Sequence, residues 1–211
     1  MPDSFFFPDD LRPVQEQRLN QRGRVIWLTG LSGAGKTTLA RGLQETLLAE
    51  GYFVVTLDGD DLRAGLNRDL GFSLADRDEN VRRVAEVARL FARNGAIVIT
   101  SLISPLQVMR DAARAIVGEE QFAEVYVNAP LAVCEQRDVK GLYARARAGL
   151  LSGFTGIDSP YEPPRRPLVT IATDQLTLPA AVAQLRSALL PLVQYAAHED
   201  AAPITDYHGT H

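Results

Sequence analysis

Gly30-Leu31-Ser32-Gly33-Ala34-Gly35-Lys36-Thr37-Thr38 carries the spacing G-x-x-x-x-G-K-[ST]. Glycines at these positions admit backbone angles closed to other residues, so successive N–H groups can converge on a phosphate. In such a loop Lys36 reaches the outer phosphates and the Thr37 hydroxyl takes a place on Mg²⁺. A helix starting near Lys36 adds the positive end of its dipole. A second acidic group, Asp58-Gly59-Asp60-Asp61, follows the apolar run 53–57. Residues two apart on a strand share a face, so Asp58 and Asp60 are expected side by side at a strand's carboxyl end. Ligands of open α/β sheets bind at that edge. One carboxylate there can hold Mg²⁺ or take the proton of an attacking hydroxyl; the bland alternative is a solvated turn.

Arg63, Arg77 and Asn80 form a third group. Arg77 and Asn80 are three apart and so neighbours on a helix. A guanidinium suits an anionic group and an amide suits a base edge. An ordinary helix surface, with ion pairs such as Glu79 to Arg83, explains the same residues.

The elements that must position these groups alternate. Strands are expected at 25–29, 53–57, 96–100, 122–127 and 168–172. Helices are expected at 36–49, 62–66, 77–93, 105–117, 130–138 and 179–197. The fold class this predicts is α/β: three α/β/α layers around a mostly parallel sheet of about five strands. Residues 1–23, with Phe5-Phe6-Phe7, read as an arm or short helix (13–20) and a linker, and 24–197 as the domain. Between 139 and 167, Lys140, Arg145, Arg147, Arg165 and Arg166 mix with glycines and prolines. That predicts a basic helix and an irregular loop, with a lid at about 139–156. The polar tail 198–211, with His198, His208 and His211, is expected to be disordered.

Composition narrows the function. A length of 211 residues with 46% hydrophobic and 23% charged suits one globular domain. Net charge is −4, from 22 basic and 26 acidic residues, which excludes a general polyanion binder and a nucleic-acid partner. An anionic substrate must therefore be held by local Arg and Lys. Cys134 has no second cysteine to pair with, which fits a reducing compartment. No apolar run nears the ~20 residues that cross a membrane, and no basic region precedes Phe5 as in a signal peptide. The expected location is cytoplasmic, with no membrane partner.

The run Asp58-Gly59-Asp60-Asp61-Leu62-Arg63 is followed by Gly65-Leu66-Asn67, Leu70-Gly71-Phe72-Ser73, Asp76-Arg77 and Glu79-Asn80-Val81-Arg82-Arg83. Later come Ile103-Ser104-Pro105, Cys134-Glu135-Gln136-Arg137-Asp138, Lys140-Gly141-Leu142-Tyr143, Phe154-Thr155-Gly156-Ile157-Asp158 and Pro160-Tyr161-Glu162. In this order they resemble the adenylylsulfate kinase family, a P-loop kinase family, over residues 24–164. The resemblance implies transfer of the γ-phosphoryl of MgATP to the ribose 3′-hydroxyl of adenosine 5′-phosphosulfate, giving ADP and 3′-phosphoadenosine 5′-phosphosulfate. It implies ATP held by Gly30 to Thr38 with Arg137 on the lid, and Mg²⁺ held by Thr37 and Asp60. Catalytic roles fall to Lys36, Asp60 and Ser104. The acceptor falls to Asp58, Asp60, Arg63, Arg77, Asn80, Ile103, Ser104, Lys140 and Gly153, with Phe72 and Phe154 sandwiching the adenine. A homodimer, and association with ATP sulfurylase, are further implications.

Ser104 has two roles in this family's terms, a phosphoserine intermediate or a substrate contact during direct transfer; phosphoryl transfer needs positioning more than an intermediate, so direct transfer is expected. Leu106 and Gln107 stand where the family often has Tyr and Arg, so either a basic contact near the acceptor is missing or Arg110 replaces it one turn later. Asp61 stands where Asn is frequent. The change after Pro105 leaves open a kinase for another small hydroxylated metabolite. A module that binds ATP without turnover is the reading from another class, and the presence of Lys36 and Asp60 speaks against it. No Asn-Lys-x-Asp segment reads guanine.

Overall fold

The computed structural model describes residues 11–195. Phe5 to Phe7, the ends of the expected arm and last helix, and the histidine-bearing tail lie outside the described residues. Five strands, β1 (Arg24–Thr29), β2 (Val54–Asp58), β3 (Ile97–Ser101), β4 (Phe122–Asn128) and β5 (Val169–Ala172), form one sheet in the order β2-β3-β1-β4-β5. Every pairing is parallel. The helices are α1 (Leu11–Leu19), α2 (Lys36–Ala49), α3 (Gly59–Ala64), α4 (Leu74–Arg93), α5 (Gln107–Val117), α6 (Leu131–Arg137), α7 (Leu142–Arg147) and α8 (Leu178–Val193). The three-layer α/β fold expected from the alternation is therefore present.

β1 is central and wholly buried. Its side chains alternate between two cores, as strand geometry dictates. Ile26 and Leu28 pack with Leu39, Leu43 and Leu47 of α2 and Leu185 and Leu189 of α8. Val25 and Trp27 pack with Val81, Val84 and Ala88 of α4 and Met109 and Ala113 of α5. A strand covered on both faces reads as a continuous apolar run, which is why 25–29 was legible.

Several boundaries differ from expectation, each for a local reason. α4 begins at Leu74, inside the expected loop, because Ser73 and Asp76 form a reciprocal capping box. α3 begins at Gly59 instead of Leu62, with Asp58 as its N-cap accepting from Asp60 N. Asp60 is thus helical, and the expectation that Asp58 and Asp60 share a strand face fails. α5 starts at Gln107, beyond Pro105, where the Glu162 carboxylate accepts from Gln107 N at 2.7 Å. A side chain 55 positions away caps this helix, and no local pattern announces it.

Residues 11–23, expected as arm and linker, are tied to the body. Gln21 is fully buried. Its Nε2 donates to Gly95 O at 2.6 Å and Phe53 O at 3.0 Å, and its Oε1 accepts from Phe53 N at 2.7 Å. Gln21 also bridges Gln194 in antiparallel fashion, joining the two ends of the described chain. Gln21→Ala would leave these backbone groups buried and unpaired, a loss of about 2–3 kcal/mol. Urea unfolding should register it; a loss below about 0.5 kcal/mol would show that water replaces the amide freely.

Candidate active site

The site grows from the carboxyl ends of β1, β2 and β3, which register brings level: Ser101 stands opposite both Leu28 and Asp58. The loop after β1 needs its glycines. Gly33 has φ 74, and a Cβ there would lie 2.9 Å from Cys134 O on α6. Gly35, at φ 95, is the N-cap of α2. Lys36 folds over the loop, donating to Gly30 O at 2.9 Å and Leu31 O at 2.7 Å.

Thr37 Oγ1 donates to Asp58 Oδ2 at 2.8 Å and lies 3.3 Å from Ser101 Oγ. This is an oxygen-only donor set, of the kind that suits a hard cation completed by phosphate and water. Among the described residues no cluster of three or more His, Cys, Asp or Glu offers another metal site. The carboxylate beside Thr37 is Asp58. Asp60, expected there, instead pairs with Lys140 across the site.

The segment after β4 covers the loop. Arg137 Nη1 donates to Gly33 O at 3.2 Å and to Thr173 Oγ1 at 3.1 Å, and its Nη2 to Thr173 O at 2.8 Å. Thr173 Oγ1 in turn donates to Ala34 O at 2.7 Å. Tyr143 OH donates to Ser32 O at 2.9 Å. Burial raises the Tyr143 phenol well above its usual range, so it stays a donor. Thr173 and Tyr143 were missed by sequence reasoning. A polar residue just beyond β5, at the carboxyl edge, was the available signal for Thr173.

A second cluster gathers the residues expected to hold the acceptor. Arg77 uses all three nitrogens on the protein: Nε to Phe72 O at 2.9 Å, Nη2 to Gly153 O at 2.6 Å, and Nη1 to Thr155 Oγ1. Arg63 donates from Nη1 to Gly71 O at 2.8 Å and lies 4.4 Å over the Phe72 ring. Phe72 is 62% exposed. Phe154 is 7% exposed and edge-on to Tyr143 at 4.9 Å, so core packing claims much of its ring. Asp158 accepts from Gly153 N and Phe154 N, closing the turn that carries them. Asn80 is buried, accepting from Asn67 Nδ2 at 3.0 Å.

Ile103 and Ser104 lie in a third group. Ser104 has φ 38, a left-handed conformation that costs a residue with a side chain about 1–3 kcal/mol. Its hydroxyl is committed: Ser104 is 3% exposed and its Oγ accepts from Trp27 Nε1 at 3.1 Å. Thr29 Oγ1 donates to Ile103 O at 2.7 Å. Of the two readings after Pro105, replacement of the basic contact by Arg110 fails and a missing contact remains. Arg110 is buried against Glu124, and Gln107 turns back to accept from it.

A family model described as adenylylsulphate kinase matches residues 22–172. An adenylyl-sulfate kinase of Microcystis aeruginosa is 54% identical over 174 residues, covering 82% of this chain and 95% of the relative. The fold resembles that of the APS kinase CysC of Mycobacterium tuberculosis, solved in complex with AMPPNP and APS, at TM-score 0.77 and 45% identity over 80% of this chain and 98% of that one. A hexameric APS kinase from Thiobacillus denitrificans is similar at TM-score 0.62 and 34% identity, covering 90% of this chain and 33% of that one.

Burial lowers the Lys36 ammonium from 10.5 to about 8. The unfolded chain holds this proton to the higher pH, so between those values unfolding takes up a proton and stability rises with pH. Below about 8 the cost of burying the charge is complete. Lys36→Met, measured in chelator without nucleotide, should therefore melt above the wild type at neutral pH. The gap should narrow as pH rises from about 8 towards 10. A gap that stays constant across that range would show that the ammonium is not the source.

Proposed function

The chain belongs to the adenylylsulphate kinase family, and from that premise we propose that it transfers the γ-phosphoryl of MgATP to the ribose 3′-hydroxyl of adenosine 5′-phosphosulfate. The observation that carries this reading is the placing of Arg77. One guanidinium bonds Phe72 O and Gly153 O, so it sets the spacing between the two segments that bear the aromatic rings Phe72 and Phe154. Two ring-bearing walls at a fixed distance suit a purine. Because Arg77 is spent on this bracing, the anionic end of the acceptor falls to Arg63 and Lys140, whose donors are less committed.

The loop from Gly30 to Thr38, with Lys36, would hold the ATP phosphates, and Arg137 with Thr173 would border the nucleotide. Thr37 with Asp58 would hold Mg²⁺, which when bound neutralises phosphate charge. The acceptor oxygen forms a bond to the γ-phosphorus while the bond to the bridging β–γ oxygen breaks; the hydroxyl proton passes to Asp60. Lys140, paired with Asp60 at the exposed mouth of the site, would release that carboxylate as it turns to the anionic end of the acceptor. Closure of a lid at 139–156 excludes water that would otherwise hydrolyse ATP. We take 24–197, with residues 11–23 packed on it, as the kinase domain and a homodimer in the cytoplasm as its working state. Among the described residues no helix is long and apolar enough to cross a membrane. The enzyme that forms adenylylsulfate is the expected functional associate. A kinase for another hydroxylated metabolite is the second reading, left open by Leu106 and Gln107, and relatives named adenylyl-sulfate kinase at 54% and 57% identity weigh against it.

ADP release from MgATP should require adenylylsulfate and fail with AMP, adenosine or sugars, and mass spectrometry should find the 3′-phosphorylated product. Turnover with a different acceptor, or with none, would sink the reading. Ser104→Ala should keep kcat within about tenfold, since it removes one neutral hydrogen bond to Trp27 worth about 1 kcal/mol. Complete loss of transfer by a folded Ser104→Ala protein would restore the phosphoserine route.

A further inference from the structure

Arg110 is a buried charge to which the proposed transfer assigns no role. It lies on α5 at 1% exposure, against Glu124 of β4 at 2%. The guanidinium donates to Glu124 Oε1 at 2.8 Å, Ser104 O at 2.8 Å, Gln107 Oε1 at 2.9 Å and Glu162 O at 2.7 Å. The second Glu124 oxygen accepts from Arg114 Nη2 at 3.1 Å. Burying these charges is tolerable because both partners are bonded this fully.

Two of the acceptors are backbone carbonyls on remote segments. Ser104 follows β3. Glu162 belongs to the chain that returns from Gly153 and Phe154. That return is fastened again beside Arg110: Glu162 N donates to Pro105 O at 2.8 Å, and Tyr161 OH lies 3.1 Å from Thr29 Oγ1. The bend at 103–105, the return at 161–162 and the root of the phosphate loop therefore meet in one polar knot. Ser104 sits inside it at φ 38. A residue with a side chain keeps such a backbone only where its surroundings over-determine it, and such positions gather at functional sites.

We infer that Arg110 is a positioning residue for the acceptor: through Ser104 O and Glu162 O, one guanidinium holds the 103–105 bend against the return from Phe154. The inference rests on the acceptor site proposed above. It depends on a planar fork that reaches several oxygens at fixed angles, which an ammonium does not provide. Arg110 itself touches no substrate in this scheme; it sets the backbone that does.

Arg110→Lys keeps the charge and loses the fork. Gln107→Ala removes one acceptor at the edge of the knot and leaves the ion pair intact. KM for adenylylsulfate and for MgATP should be measured separately, with the ATP dissociation constant and thermal unfolding of each variant. In Arg110→Lys the KM for adenylylsulfate should rise about tenfold or more, the scale of losing one hydrogen bond to a charged group. Its KM and dissociation constant for ATP should stay within about twofold, which on the same scale is a small fraction of such a bond. Gln107→Ala should show a smaller rise with the same split, and it decides the matter if Arg110→Lys does not fold. Equal rises for both substrates, or lowered thermal stability with neither KM moved, would overturn the positioning role. Wild-type protein without adenylylsulfate-dependent turnover would remove the functional reading and this inference together, and it would do so before any variant is compared.

Discussion

All five strands run the same way, and the rest of the site depends on that constraint. Parallel strands place every carboxyl end on one edge of the sheet. β1 is buried on both faces and lies between β3 and β4, so its exit turns into the phosphate loop with neighbours on either side. β3 supplies Ser101 on one flank, with Asp58 of β2 just beyond it, and the segment after β4 supplies Arg137 on the other. The loop's own glycines would permit many conformations. What selects one is the packing of α6 against Gly33 and the hydrogen bonds from Tyr143 and Thr173 to loop carbonyls.

Arginines hold the remaining segments together. Arg77, Arg110 and Arg137 all donate to backbone carbonyls of loops that lie far away in sequence. A loop carbonyl removed from water needs a partner, and these loops have no ladder to provide one. A guanidinium answers several carbonyls at once in a fixed plane, so one side chain can set the relative position of two loops. The basic residues of this nearly balanced chain therefore act in two ways. Some brace the site, and others, Lys36, Arg63 and Lys140, keep donors that can turn to an anion.

This division also explains what the sequence made legible. The bounds of α2, the apolar strands and the phosphate loop follow from spacing within a few residues, and they were found. Asp60 was misplaced because the strand ends at Asp58, whose carboxylate caps a helix; a two-residue parity argument fails once the backbone changes type. Arg110 as a replacement basic contact was one of two readings left open, and it fails because its partners Glu124 and Glu162 lie 14 and 52 positions away. Ser104 was read as a contact through its hydroxyl or its backbone, and nothing near it in the chain foretells that the hydroxyl is engaged by Trp27, 77 positions earlier. In each case the residue type was informative about chemistry. What it touched was decided by topology.

The same topology bears on which parts of the site can move. The return through Tyr161 and Glu162 is bonded to Thr29, Pro105, Gln107 and Arg110, so displacing it breaks several hydrogen bonds together. Lys140 reaches Asp60 from an exposed position at the start of α7, and Arg147 holds Glu135 on the surface. Exposed ion pairs of this kind contribute little and exchange readily with water. Motion is cheapest at the exposed ends of the 138–153 segment, because Tyr143 and Ala146 at its middle are buried in the core and Tyr143 OH is bonded to Ser32 O. It is costliest at the knot around Arg110. A site that must open for two substrates and still align them to within a fraction of an ångström needs both regions, and the buried ion pair marks the one that stays in place.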